Sequence, residues 1–81
     1  MKSKFKKQND LALIARLKKG ITENDKIIIQ LILQELTSEE IAVKLGKSKR
    51  TIENARLMII KIIGCKNVVG VVKYAVKKGM V

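Results

Sequence analysis

The chain has 81 residues and a net charge of +11, and it contains no proline, histidine or tryptophan. This length allows one small domain, and the abundance of Ile, Leu and Val is typical of an all-α domain with an aliphatic core. No apolar run is long enough to span a bilayer and the N-terminus lacks the apolar core of a signal peptide, so we expect a cytoplasmic protein without a membrane partner. The single cysteine, Cys65, cannot form an internal disulfide. With no acid pair or phosphate loop either, the sequence predicts no enzyme, no metal site and no cofactor.

Residues 1–20 are predicted to form a basic arm and a short helix, and they carry seven Lys or Arg against one acid. Asp10 can cap the helix and Gly20 can end it, with Ile14 and Leu17 on an apolar side. The arm is either a solvated tail or a segment that follows phosphates or a minor groove. The short helix either docks on the rest of the chain or another subunit, or lies on a membrane surface. We favour docking, because about ten residues would bind lipid weakly.

The next predicted helix runs from Glu23 to about Glu35. Thr22 and Asp25 have the spacing of a capping box, in which side chain and backbone satisfy each other's hydrogen bonds at the helix start. Its apolar residues are too many for one narrow stripe: Ile28, Ile29, Leu31, Ile32 and Leu33. We therefore predict that this helix is central and the most buried.

Residues 37–63 are predicted to form two helices joined by one tight turn. Thr37 and Glu40 repeat the capping-box spacing, and Gly46 can end the helix that begins at Ser38. Ser48 can cap a second helix over residues 49–63. A small Ala42, the turn Gly46 and a β-branched Ile52 at these intervals suit a helix-turn-helix, in which the two helices approach closely.

The second of these helices has two distinct sides at about 100° per residue. The inward side carries Ile52, Ala55, Ile59, Ile62 and Ile63, and the outward side carries Lys49, Arg50, Glu53, Asn54, Leu57, Ile60 and Lys61. Residues 47–66 have six Lys or Arg and one acid, whereas residues 21–46 have two Lys and five acids. The basic, hydrogen-bonding side is thus predicted to face a phosphate backbone while the acidic helices lie behind it.

The last predicted helix runs from Val68 to about Lys78, with Asn67 as its N-cap and Gly79 after its end. Its apolar positions cover a wider arc than one core contact requires. The apolar positions that the core does not need predict a dimer interface with a second copy of the chain, formed by Val68, Val69, Val72, Ala75 and Val76.

With these residues in place, residues 21–81 resemble the LuxR/FixJ/GerE-type DNA-binding domain of bacterial transcription regulators, without gaps. The resemblance rests on residues spread over the whole range: Ile21-Thr22, Asp25, Leu36-Thr37, Glu40-Ile41-Ala42, Leu45-Gly46, Ser48, Thr51-Ile52-Glu53, Arg56, Gly64, Asn67, Tyr74-Ala75 and Gly79. Glu35 replaces a commonly small turn residue, Lys47 an apolar one and Ala55 a usual histidine. The resemblance implies a four-helix domain, here with an extra short N-terminal helix, that dimerises through its last helix.

The resemblance and the chemistry of the side chains together predict a sequence-specific, stand-alone transcription regulator that binds double-stranded DNA as a homodimer. The helix 49–63 would lie in the major groove, where Arg50, Glu53, Asn54 and Leu57 would contact guanine, cytosine, adenine and a thymine methyl group. The predicted phosphate contacts are Lys47, Ser48, Lys49, Thr51, Arg56 and Lys61.

Two alternatives stay open. The promoter-reading region of sigma factors shares much of this pattern and would have RNA polymerase as its partner. The chain could instead be a small helical interaction module that uses its last helix on another protein, with a basic face that only confers solubility.

Overall fold

The computed structural model describes residues 14–80, and every regular element in that range is a helix. The elements are α1 over residues 14–19, α2 Glu23–Leu33, α3 Ser38–Leu45, α4 Lys49–Ile63 and α5 Val68–Lys77. The prediction of an all-α protein is therefore confirmed. The basic arm and the predicted cap at Asp10 lie outside the described residues. Across residues 14–80 no helix is both long and apolar enough to cross a membrane.

The helix starts are those that the sequence predicts. Thr22 caps α2, Thr37 caps α3, Ser48 caps α4 and Asn67 caps α5. At Thr37 the box is complete, because the hydroxyl accepts from the Glu40 N–H at 3.2 Å and the Glu40 carboxylate accepts from the Thr37 N–H at 2.8 Å. Each cap satisfies backbone N–H groups that have no partner inside the helix, and so fixes where the helix begins.

The end of α2 differs from the prediction. This helix stops at Leu33, and Glu35 has a φ of +66°, which makes it the one residue other than glycine with positive φ within residues 14–80. The Leu36 N–H donates to the Leu31 carbonyl at 3.2 Å and the Glu35 N–H to the Ile32 carbonyl at 2.8 Å. This is the Schellman arrangement, normally built around glycine. Glu35 thus lies in the turn after the helix and not at its end.

The core is formed by one side of each of the four longer helices. Its fully or nearly buried side chains are Ile28, Ile29, Leu31, Ile41, Ala42, Ile52, Ile59, Val71 and Ala75. Helix α2 has the largest number of buried residues of the described helices, as predicted. Its central place is shared with α4, because each of the two contacts three other helices. Helix α4 packs against α3 on one side and α5 on the other. Consequently the position of α4 is fixed by the rest of the domain.

Helix α1 is fastened to the start of α2 by an ion pair. One Arg16 nitrogen, Nη2, lies 2.8 Å from both carboxylate oxygens of Asp25, while Nη1 donates to the Gly20 carbonyl at 3.2 Å. Asp25 is only 2% exposed, and its carboxylate also accepts from the Thr22 N–H at 2.9 Å. The predicted apolar side does not pack, since Ile14 and Leu17 are 46% and 39% exposed. The short helix is joined to α2 by the charged contact of Arg16 instead.

Candidate nucleic-acid interface

The turn between α3 and α4 is short, and two of its N–H groups donate back to α3. Gly46 has a φ of +67°, and the next N–H, that of Lys47, donates to the Ala42 carbonyl at 2.9 Å. Ser48 then starts α4, with its hydroxyl oxygen accepting from the Thr51 N–H at 3.0 Å. A left-handed residue that ends α3 and a cap two residues later that starts α4 thus define a tight turn.

The inner side of α4 is anchored in the core. Ile52 is 1% exposed and Ile59 is fully buried, two helical turns apart. Ile41 and Ala42 of α3 belong to the same buried cluster as Ile52. Ala42 is small, so its helix can approach α4 closely. The orientation of α4 about its own axis is therefore determined by close packing and not by its exposed residues.

The outer side of α4 is open to solvent. Each of the predicted base-reading residues is exposed, and Lys61 continues the same stripe one turn beyond Leu57. The stripe follows the helical spacing i, i+3, i+4, i+7 and i+11 and consists of Arg50, Glu53, Asn54, Leu57 and Lys61. At a rise of about 1.5 Å per residue it extends for about 16 Å along the helix. It offers cationic, amide, carboxylate and apolar side chains in one row.

The predicted phosphate residues at the start of α4 are also exposed: Lys47, Ser48, Lys49 and Thr51. The Ser48 hydroxyl donates to the Thr51 hydroxyl oxygen at 2.8 Å, which orients both side chains. Lys49 Nζ lies 4.0 Å from the Glu53 carboxylate, with both side chains about half exposed. Such an exposed pair is weak, so Lys49 can leave Glu53 for an anion that binds it more tightly.

Two residues of α4 differ from their predicted environment. Ile60, placed on the outward side by periodicity, is partly buried and packs against the core. Arg56, a predicted phosphate contact, is partly buried, and its Nη1 donates to the Ser38 hydroxyl oxygen at 3.4 Å. Both lie on the flank of α4 that borders a cleft shared with Ser38. The periodicity of α4 alone could not indicate this, because the width of the buried arc depends on α3.

The predicted dimer residues of α5 divide into two groups. Val69, Val72 and Val76 are exposed at 58%, 38% and 61% and follow each other on one side of the helix. Val68 is half-buried against the core, and Ala75 is fully buried inside it. The prediction for Ala75 is therefore corrected: this side chain is enclosed within one chain and has no surface for a partner. We call the exposed set Val69, Val72 and Val76 the valine stripe.

Within residues 14–80, no three His, Cys, Asp or Glu side chains are grouped so that they could hold a metal ion. Comparisons of the chain with protein-family models, with curated proteins and with solved structures gave no match.

Proposed function

We propose that this chain is a sequence-specific DNA-binding transcription regulator of the LuxR/FixJ/GerE type, acting in the cytoplasm as a homodimer. Helices α3 and α4 would form its helix-turn-helix, with the outer side of α4 in the major groove. The observation that carries the proposal is the exposed, chemically varied stripe of α4 on a helix whose inner side is fixed by Ile52 and Ile59. A helix that contacts base edges in the major groove needs exposed hydrogen-bond donors and acceptors and a rigid support.

Four of the five side chains of the stripe match the edges of bases, and Lys61 would contact a phosphate. Arg50 can donate two hydrogen bonds to guanine O6 and N7, and Asn54 can both donate to and accept from adenine. Glu53 can accept from the cytosine amino group, and Leu57, 58% exposed, can contact a thymine methyl group. The surplus of Lys and Arg over acids in residues 47–66 supports a backbone contact around this stripe.

Asn54→Ala should reduce discrimination between base pairs at one or two positions of the site by about 1–3 kcal/mol, since it removes an amide that can bond an adenine in two places. Lys47→Ala should weaken binding to all duplexes alike and lower the slope of log K against log salt by about one. Both side chains are exposed, so neither change should disturb the fold. The measurement is affinity for a set of single-base variants of one duplex over a series of salt concentrations. If the two variants lost affinity in the same pattern, the division into base and phosphate contacts would be wrong.

The duplex itself can be obtained by selecting bound sequences from a random pool with the wild-type chain. Two copies of one half-site with centres about 34–36 Å apart would support a two-fold dimer. A pool that shows no enrichment, at a salt concentration where the chain still binds DNA, would leave only non-specific binding and would overturn the proposal.

The double variant Val69→Gln with Val76→Gln should lose cooperative binding to a duplex with two half-sites, by about tenfold or more. It makes the valine stripe polar without adding charge. Affinity for a duplex with a single half-site should change little. Ile27→Gln is the matched control, because Ile27 is 48% exposed and lies on α2, outside both the helix-turn-helix and the stripe. Equal loss of cooperativity in the control and the double variant would argue against dimerisation through α5.

A further inference from the structure

Arg56 differs from the other two arginines of the chain in what it contacts. The Arg16 guanidinium is committed to the Asp25 carboxylate at 2.8 Å. Arg50 lies on the open outer side of α4. Arg56 is partly buried, yet its partner is the neutral Ser38 hydroxyl at 3.4 Å. Among the described residues no carboxylate lies within ion-pairing distance of Arg56.

A guanidinium whose hydrogen-bond partner is a neutral hydroxyl is not neutralised by that bond. The group has five N–H donors in a rigid fork, and the bond to Ser38 uses one of them. The remaining donors can bind an anion in two places at once, as arginine does with phosphate. Ser38 therefore restrains the side chain without neutralising it.

The position of Arg56 on α4 agrees with a phosphate at the edge of the groove. At about 100° per residue, Arg56 lies on the same flank of α4 as Lys49, to one side of the stripe that begins at Arg50. Seven residues separate the two cations, which is about 10 Å along the helix. A helix in the major groove has bases before it and a sugar-phosphate backbone along each flank. Lys49 and Arg56 thus lie where one backbone would pass.

We propose that Ser38 is a positioning residue that holds the Arg56 guanidinium on this flank for a phosphate of the DNA backbone. The inference rests on the proposed DNA binding and adds to it a residue of α3 that the sequence did not indicate. Ser38 is the first residue of α3, and Thr37 is the cap of that helix. The Ser38 hydroxyl is therefore not needed as a helix cap and can accept the hydrogen bond from Arg56. Because the guanidinium is already held in place, less side-chain entropy is lost when it binds a phosphate.

The test is a double-mutant cycle on binding to the selected duplex, measured over a series of salt concentrations. Arg56→Met removes the charge and keeps the partly buried stem, and should weaken binding about tenfold while lowering the salt slope by about one. Ser38→Ala should weaken binding about threefold with an unchanged slope, because the phosphate contact persists but is less ordered. Ser38→Ala should have no further effect in the Arg56→Met background. Ser38→Thr, which keeps the hydroxyl, should bind like the wild type.

Thermal unfolding of each variant shows whether the effect arises from folding, since a merely structural bond would lower stability and leave the affinity of the folded chain unchanged. An unchanged slope in Arg56→Met would overturn the phosphate contact. An equal loss from Ser38→Ala in both backgrounds would overturn the positioning role and leave the proposed function intact. Failure of the wild-type chain to select any duplex would instead overturn the proposed function, and this inference with it.

Discussion

Gly70→Ala should destabilise the chain by about 3 kcal/mol, although alanine is the better helix former. Gly70 lies in the first turn of α5, and a Cβ built on it would overlap the Cβ of Cys65 and lie 2.8 Å from its Sγ. The Cβ of Cys65 is fixed by the backbone, so no rotamer change can relieve the overlap. The Cys65 thiol is itself held in the turn, where it donates to the Asn67 carbonyl at 3.4 Å. Helix α5 would have to move away from α4, which disturbs the core around Val71.

Urea unfolding followed by circular dichroism measures this effect, since the chain has no tryptophan. The matched second-site changes are Cys65→Gly, which removes the obstructing atoms, and Cys65→Ser, which keeps the Cβ. Gly70→Ala with Cys65→Gly should recover a large part of the lost stability, whereas Gly70→Ala with Cys65→Ser should not. A Gly70→Ala variant as stable as the wild type would contradict the close approach of α5 to the turn at Cys65.

The helix starts and most helix ends could be predicted from the sequence because the groups that determine them are close in sequence. A capping hydroxyl at Thr37 bonds an N–H three residues away, and Gly46 or Gly64 adopts positive φ at no steric cost. The positive φ of Glu35 could not be predicted from its side chain in the same way. A glutamate rarely adopts positive φ, and it does so here because the Leu36 N–H reaches back to α2 while the chain turns toward α3.

The exposed stripe of α4 was also within reach of the sequence, because a period of 3.6 residues separates an inner from an outer side. Its edges were not. Ile60 is partly buried and Arg56 contacts Ser38, eighteen residues earlier in the chain. On α5, Ala75 was placed on the surface by an apolar arc whose inner limit depends on its neighbours. Periodicity gives the direction of a side chain, whereas its burial depends on what packs beside it.

The contact between Arg16 and Asp25 joins two helices and could not be predicted from the pattern of either one, and its loss should have the second large effect. Arg16→Ala should cost about 3 kcal/mol of folding free energy, because it leaves a carboxylate that is 2% exposed without its cation. We take the lower end of the usual range since the Arg16 side chain is 29% exposed and water can partly replace it. The matched control is Lys26→Ala, which breaks an exposed pair with Glu23 and should change stability by less than about 0.5 kcal/mol.

Asp25→Asn separates the cost of the buried charge from the loss of the bond itself. The asparagine side-chain oxygen can still accept from the Thr22 N–H, and the unpaired Arg16 can turn to solvent, so this change should cost less than Arg16→Ala, about 1–2 kcal/mol. The double variant Arg16→Ala with Asp25→Asn should then be more stable than Arg16→Ala alone, because no buried charge remains. Urea unfolding of the four chains gives the coupling free energy directly. Additive losses would mean that the two side chains do not interact, and that α1 is held to α2 by other contacts.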